Sequence, residues 1–296
     1  MILSVTRTAR VWFGLSGALL LISIIAITGW GLHPGIDFVG GSVLELHGTT
    51  VTVPAMRDAL QTRGEASAVV QTTGGDSVLV RTRLLDTEEH ERLLSDLRKT
   101  FQGLEERQFN TVGPTISREL LRKSLLAIVL ATVGILLYLA FVFQKTTAVI
   151  SSWAFGIIAV LVLLHDVLIA TGFFALYARF WSASADSLFV TALLTTLGFS
   201  VHDTIVIFNR IKTNLQTLRL PFADLVDVSV VETLTRSLNT SMTTLLVLLA
   251  LLLFGGVTIR PFLLTLSAGI IVGAYSSIFV AAPLVVVWQS WRSRRR

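Results

Sequence analysis

Six long apolar stretches constrain the fold of this chain more than any other feature of its sequence. Each holds about 20 mostly apolar residues, the length that a helix needs to cross the hydrocarbon core of a bilayer. The stretches predict transmembrane helices at residues 11–30, 124–143, 149–172, 188–208, 237–256 and 262–288. Hydrophobic residues make up 53% of the 296 residues, too many for a soluble domain of this length. We therefore expect a polytopic α-helical membrane protein.

The first apolar stretch also suggests a second interpretation, a cleaved signal peptide, because Arg7 and Arg10 precede it. It is longer than the apolar region of a typical signal peptide, and Thr28-Gly29-Trp30 offers no cleavage site made of small residues. We interpret it as an uncleaved anchor.

Basic residues are divided unevenly between the two sides of the predicted helices, and cytoplasmic short loops are typically rich in Lys and Arg. One side carries Arg7, Arg10, Lys145, Arg210, Lys212, Arg219, Arg236, Arg292, Arg294, Arg295 and Arg296. The opposite short loops carry only Arg179 and Arg260. The pattern predicts cytoplasmic segments at 1–10, 209–236 and 289–296, with both termini inside. The basic tail is read as an anchor beside anionic lipid and not as a nucleic-acid site.

Residues 31–121 are expected to form one small α+β domain outside the cytoplasm. Strands are predicted at 43–46, 68–71, 77–81 and 108–112, and helices at 53–61 and 86–101, with a turn at Gly74-Gly75-Asp76. The order β-α-β-β-α-β is typical of a ferredoxin-like domain. Its histidines are scattered and the chain has no cysteine, so we expect neither a metal site nor a disulfide. The domain is interpreted as a binding or mechanical module.

Two polar faces are predicted inside the membrane, where charge is costly and marks function. Helical spacing places one face on the fourth span, at Thr196, Phe199, Ser200, Asp203, Ile207 and Arg210. The fifth span carries a polar stripe at Arg236, Asn239, Thr240, Thr243 and Thr244. We hypothesise that Asp203 gains and loses a proton while Arg236 tunes its affinity. The alternative is a static ion pair of Asp203 with Arg236 or His165 that fixes helix register.

Other polar residues of the spans have weaker patterns. His165 and Asp166 are titratable neighbours, but adjacent residues on a helix point in different directions, so at most one is expected to line a proton path. His202 is interpreted as a core histidine, with a relay role as the alternative. Gly269, Gly273 and Ser277 form a small-residue stripe that indicates close helix packing.

Enzymatic chemistry finds no support in the sequence. It contains no G-x-x-x-x-G-K-[ST] loop, no H-E-x-x-H and no G-x-S-x-G, so we expect neither an enzyme nor a cofactor. The glycines of GIDFVGG, between Gly35 and Gly41, are predicted to set a hinge between the first span and the external domain.

Several motifs in order along the chain resemble one family, the SecF subunits of the bacterial SecDF protein-export complex, in the resistance-nodulation-division superfamily. They are GIDFVGG (35–41), VGPTISREL (112–120), LHDVLI (164–169), SVHDTIVIFNRI (200–211), TRSLNTSMTTLL (235–246) and GIIVGAYSSIF (269–279). The motif residues Gly35, Asp37, Gly40, Gly41, Gly113 and Pro114 are part of this resemblance. It extends over nearly the whole chain.

The resemblance implies a location in the bacterial plasma membrane. It also implies an accessory subunit of the Sec translocase that uses the proton-motive force in late, extracytoplasmic steps of preprotein translocation. It implies SecD, the SecYEG translocon, YajC and YidC as partners, and no nucleic acid. The family's proton-coupling carboxylate and its paired basic residue correspond to Asp203 and Arg236.

The chain also departs from the family pattern at three places: Asn209 replaces a common acidic residue, while Ser117 and Pro261 stand where glycine is frequent. These departures put a second carboxylate in doubt and predict stiffer turns. Two alternatives remain: a subunit of a small-molecule or lipid exporter of the same superfamily, and a scaffold that recruits insertion factors without proton transport.

Overall fold

The chain folds into a bundle of long helices, with one small mixed domain inserted after the first of them. The computed structural model describes residues 4–48, 51–74, 77–143, 152–181 and 183–294. In chain order the elements are α1 (Ala9–Trp30), α2 (Ile36–Val39), β1 (Gly41–His47), α3 (Val53–Gln61), β2 (Val69–Gly74), β3 (Ser77–Thr82), α4 (Thr87–Thr100), β4 (Glu105–Val112), α5 (Pro114–Val142), α6 (Ser152–Trp181), α7 (Ser187–Thr217), α8 (Phe222–Phe254), α9 (Arg260–Ser276) and α10 (Ala282–Ser293). A π-helical turn at Ser277–Ala281 joins α9 to α10.

The described helices include six that are long and apolar enough to cross a membrane, when α9 and α10 are taken as one. This confirms the expected polytopic fold. Some predicted features lie outside the described residues: Gly75 and Asp76 of the hairpin turn, Lys145, positions 149–151, and Arg295 with Arg296.

The helices extend beyond the apolar stretches that predict them. α5 begins at Pro114, so residues 114–121 are helical and do not belong to the mixed domain. Residues 209–236, predicted as a loop, are helical except at Leu218–Pro221. Polar residues continue α7 and α8 past their apolar parts, and Arg210 Nε bonds Glu232 Oε2 at 2.6 Å between the two helices. Hydropathy detects the apolar part of a helix but not its ends.

The mixed domain has the predicted ferredoxin-like topology. Its four strands lie in the order β2-β3-β1-β4 with every neighbouring pair antiparallel. Because side chains alternate between the two faces of a sheet, Leu44 and Leu46 of β1 point to the same face, where they pack with Met56, Leu60 and Leu97 of the two helices. All five side chains are fully buried and form the core of the domain.

The other face of the sheet looks toward the helical bundle. Val43, Glu45 and Arg81 on this face line a cavity of about 1060 Å³, whose opposite wall includes Tyr177 of α6 and Leu264 of α9. The domain therefore stands over the ends of the membrane helices with a gap beneath part of its sheet.

Close approaches between helices occur at small residues, as the stripe in the sixth span predicts. A Cβ atom on Gly269 would overlap the side chain of Thr196, and one on Gly273 would lie 3.0 Å from the Cβ of Ser200. Gly172 of α6 meets α1 even more closely, because an added Cβ would overlap both the backbone and the side chain of Ser23. These contacts hold α6, α7 and α9 in the centre of the bundle.

We predict that Gly172→Ala destabilises the protein, because the added methyl group meets backbone that cannot move aside. Overpacking of this kind costs about 1–3 kcal/mol. Gly198→Ala is the matched control, since a Cβ at Gly198 meets nothing within 4 Å. The measurement is the midpoint of thermal unfolding of the purified protein in detergent. Equal midpoints for the two variants would contradict the close contact of α1 and α6.

Candidate functional site

Asp203 lies near the middle of α7 and is 2% exposed. The hydroxyl of Ser241 on α8 donates a long hydrogen bond of 3.4 Å to Asp203 Oδ2. Thr196, Ser200 and Ile207 on the same side of α7 are also buried, as the helical spacing predicts. Asp203 is thus a desolvated carboxylate with few polar contacts.

Arg236 does not form the static ion pair that was one alternative. No cation lies within 4.0 Å of the Asp203 carboxylate in the part of the chain that the structure describes, although Arg236 and His202 are near enough to interact with it electrostatically. The α8 residues that face Asp203 are Ser237 and Ser241, whereas the Arg236 side chain points outward and is exposed. Arg236 and Ser237 are adjacent, and residues one position apart on a helix face different directions.

The predicted stripe on α8 also faces away from the bundle. Arg236, Asn239 and Thr243 are exposed, and Thr240 and Thr244 are half-buried. The threonine hydroxyls donate to carbonyls of their own helix, such as Thr243 to Asn239 O at 2.9 Å. The side chains of Arg236 and Asn239 therefore remain available to a neighbouring molecule.

Asp166 of α6 has the opposite character, since it is fully buried and has several partners. Its Oδ2 accepts hydrogen bonds from Ser200 of α7 and, at 2.8 Å, from Ser276 of α9. Its Oδ1 lies 2.8 Å from His165 Nδ1. Although adjacent residues on a helix point in different directions, the imidazole ring of His165 reaches the adjacent carboxylate. That at most one of them lines a proton path stays a prediction. Asp166 connects three helices at one buried point.

Two further contacts surround this point. Thr204 Oγ1 and Ser277 Oγ are 2.9 Å apart, and Ser277 also donates to Ser200 O at 3.3 Å. Ser276 ends α9 and Ser277 begins the π-helical turn. Consecutive residues of a helix point in different directions, so Ser276 reaches α6 and Ser277 reaches α7. His165 Nε2 is buried without a hydrogen-bond partner among the described residues.

Sequence reasoning missed Ser241, Ser276 and Thr204, and it assigned Ser277 to close helix packing without predicting its hydrogen bonds. Serine and threonine are common in transmembrane helices, so only their contacts across helices distinguish these four from the rest. His202 was interpreted as a core histidine, and this is wrong for the chain taken alone, because its side chain is exposed on the outer side of α7. Asn209 is exposed as well.

The GIDFVGG segment contains the short helix α2, which lies at the junction of the domain and the bundle. Gly35 precedes α2, and Gly40 and Gly41 follow it with φ of 83° and 130°. Asp37 within α2 accepts a hydrogen bond from the first residue of α7. The glycines of this junction are tightly packed, and the hinge predicted there stays a prediction.

The departures from the family pattern fit their positions. Pro261 lies in the first turn of α9, where proline lacks only an N–H that has no partner in the helix. The motif residue Gly113 precedes α5, and Pro114 is its first residue. Ser117 is 1% exposed, and its hydroxyl donates to Pro114 O at 3.1 Å.

The fold and these buried polar sites define a multi-pass membrane protein in which ionisable side chains lie between helices and a folded domain stands at one end. Residues 93–291 match the model of the C-terminal part of the protein export membrane proteins SecD and SecF, and residues 25–47 match the SecD/SecF GG motif. The chain belongs to the SecD/SecF family.

Individual relatives agree with this assignment. Protein translocase subunit SecF of Thermobaculum terrenum is 40% identical over 97% of this chain and 94% of its own length. Protein translocase subunit SecDF of Thermus thermophilus is 37% identical over 94% of this chain, which spans 38% of that longer protein.

Solved structures extend the likeness to the fold. A crystal structure of the SecDF from Thermus, described as a translocon-associated membrane protein, superimposes with a TM-score of 0.86 at 34% identity over 96% of this chain and 38% of that one. A SecDF crystal structure described as the super-membrane-facing form gives a TM-score of 0.70 at the same identity, over all of this chain and 40% of that one.

We predict that Asp166→Ala destabilises the protein far more than Asp203→Ala does. The Asp166 change leaves two buried hydroxyls and an imidazole without their acceptor, and each bond to a charged group contributes about 1.5–3 kcal/mol. Asp203 has one long bond and a desolvated charge, so its removal costs little. Thermal unfolding in detergent measures both variants. Equal losses would mean that the Asp166 contacts do not hold the three helices together.

Proposed function

We propose that this chain is an accessory subunit of the bacterial Sec protein translocase that, together with SecD, uses the proton-motive force to assist late, extracytoplasmic steps of preprotein translocation. The observation that carries the proton coupling is the state of Asp203, a buried carboxylate with one long hydrogen bond and no ion pair among the described residues. The family membership supports the role in protein export.

The electrostatics around Asp203 suit a carboxylate that changes its protonation state. Burial in a medium of low dielectric constant favours the neutral acid, whereas an approaching cation favours the carboxylate. Arg236 is near Asp203 but not bound to it, so a modest movement of α8 relative to α7 would change which form is preferred. In this proposal protons enter from outside, and the helix movement biases the exported chain outward. His165, Asp166 and His202 remain candidates for a relay.

A partner subunit is supported by the outward polar face of α7 and α8. His202, Asn209, Arg236 and Asn239 are exposed along two helices that cross the membrane. Charged and amide side chains are costly in contact with lipid, so such a face is suited to another membrane protein. SecD is the proposed occupant, and the relative in which SecD and SecF form one chain supports this pairing. SecYEG, YajC and YidC are further proposed partners.

The proposed orientation places both termini in the cytoplasm and the mixed domain outside it. Thr6 donates two hydrogen bonds to Asp227 near the start of α8, at 3.0 Å and 2.8 Å, so the N-terminal segment lies at the same end as the α7–α8 turn. The described basic residues at this end are Arg7, Arg10, Arg210, Lys212, Arg219, Arg292 and Arg294. The positive-inside tendency then supports a cytoplasmic location for this end.

We predict that Asp203→Asn abolishes the part of preprotein translocation that depends on a proton gradient. The amide has nearly the same shape but cannot take up and release the proton. The measurement is the completion of translocation into membrane vesicles with and without an imposed gradient, at equal levels of the assembled complex. Asp224→Asn is the control, since it removes a carboxylate whose side chain is 50% exposed at the proposed cytoplasmic end.

A gradient-dependent rate that survives Asp203→Asn would refute proton coupling at Asp203. The scaffold, which recruits insertion factors without moving protons, would then be the better explanation.

A further inference from the structure

We propose that Asp37 couples α7, the helix that carries Asp203, to the external domain, so that a movement of α7 is transmitted to the sheet. The inference deepens the proposed function and rests on it. Asp37 is a positioning residue, because it acts through the helix: its partner Ser187 lies about 24 Å along α7 from Asp203 at about 1.5 Å per residue.

The start of α2 is bonded to the start of α7. The Ser187 N–H donates to Asp37 Oδ2 at 2.9 Å. Next to it, the Gly35 N–H donates to Ala185 O at 2.6 Å and the Ala185 N–H donates to His33 O at 2.8 Å. The first N–H groups of a helix have no partner within the helix and lie at its positive end, so a carboxylate is a favourable acceptor there.

The end of α2 is packed against the external domain. A Cβ on Gly41, the first residue of β1, would lie 2.6 Å from Thr82 O at the end of β3. A Cβ on Gly40 would lie 3.3 Å from Val112 O at the end of β4. Both glycines also have positive φ, which other residues adopt only at a cost. α2 is therefore fixed to the domain on one side and to α7 on the other.

The rest of the interface leaves room for movement. The cavity of about 1060 Å³ separates part of the sheet from α6 and α9, and Asp37 lies at its edge. Across this gap the sheet reaches α7 through the attraction between Arg81 of β3 and Asp186, whereas the bonded segment from His33 to Asp37 links the domain to α7 by hydrogen bonds.

A second carboxylate at the same helix start provides a matched control. Asp186 Oδ1 accepts from the Phe189 N–H at 2.9 Å and so caps its own helix, and none of its hydrogen bonds in the described chain reaches α2. Burial raises the pKa of Asp186, and the nearby Asp37 charge adds to the effect. Asp186→Asn keeps the cap and removes the charge together with its attraction to Arg81 of β3, so the variant separates that electrostatic contact from the hydrogen bond of Asp37.

The test measures gradient-dependent translocation in vesicles that hold the complete complex with SecD. Asp37→Ala is expected to reduce the gradient-dependent part about tenfold, the scale of one lost charge-assisted hydrogen bond, without changing the gradient-independent part. Asp37→Asn retains an acceptor oxygen and is expected to stay within about twofold, as is Asp186→Asn. A gradient-dependent rate that is unchanged in assembled Asp37→Ala would overturn the proposal.

A disulfide tests whether a covalent link at the same place can replace the hydrogen bond of Asp37. The sequence has no cysteine, so Pro34→Cys with Ala185→Cys adds a single defined pair. Pro34 and Ala185 are bridge partners, and the usual strand spacing of about 4.8 Å lies within the range that a disulfide spans. In the Asp37→Ala background, the oxidised pair is expected to restore gradient dependence, and reduction is expected to remove it again.

If Asp37→Ala alone does not assemble, the complex is assembled with the oxidised pair and reduced in the vesicles. Gradient dependence that is unaffected by reduction, or not restored by oxidation, would overturn the proposal. Asp203→Asn is measured in parallel. If it leaves the gradient-dependent part intact, the proposed function fails and not only the coupling by Asp37.

Discussion

Hydrocarbon offers polar groups no hydrogen-bond partner, and this constraint decides where most polar side chains of the long helices lie. Many hydroxyl groups find an acceptor in their own helix and donate to the carbonyl one turn earlier, as Thr132 and Thr195 do. The carboxylate of Asp166 cannot be satisfied in this way, because it needs hydrogen-bond donors and the N–H groups of its own helix already donate to carbonyls. It obtains them from Ser200 and Ser276 on two other helices, and the packing of α6, α7 and α9 follows from that need.

The polar groups that the chain leaves without such partners are the informative ones. Asp203 is buried but weakly bonded, and the Arg236 and His202 side chains point outward from the bundle. Two carboxylates in neighbouring helices thus differ in kind. Asp166 is held by its contacts and stabilises the bundle, whereas Asp203 is buried with only a long hydrogen bond, which suits the change of protonation state proposed for it.

Hydropathy and helical spacing suffice to predict the six spans, the ferredoxin-like strand order and the burial of Asp203. They fail where a contact between distant parts of the chain decides the outcome. Nothing in the sequence near Asp37 indicates that it bonds Ser187, 150 positions later. The outward direction of Arg236 depends on how α8 is rotated against α7, and a stripe of polar residues has the same spacing whichever neighbour it faces. The ends of α7 and α8 depend on polar residues that hydropathy assigns to a loop.

One consequence follows from the length of α7. The helix runs unbroken from Ser187 to Thr217, so at about 1.5 Å per residue it is about 46 Å long, well beyond a hydrocarbon core of about 30 Å. Asp203 lies close to its midpoint, about 24 Å from one end and about 21 Å from the other. If α7 tilts about Asp203, its two ends therefore move by similar distances in opposite directions, on opposite sides of the membrane.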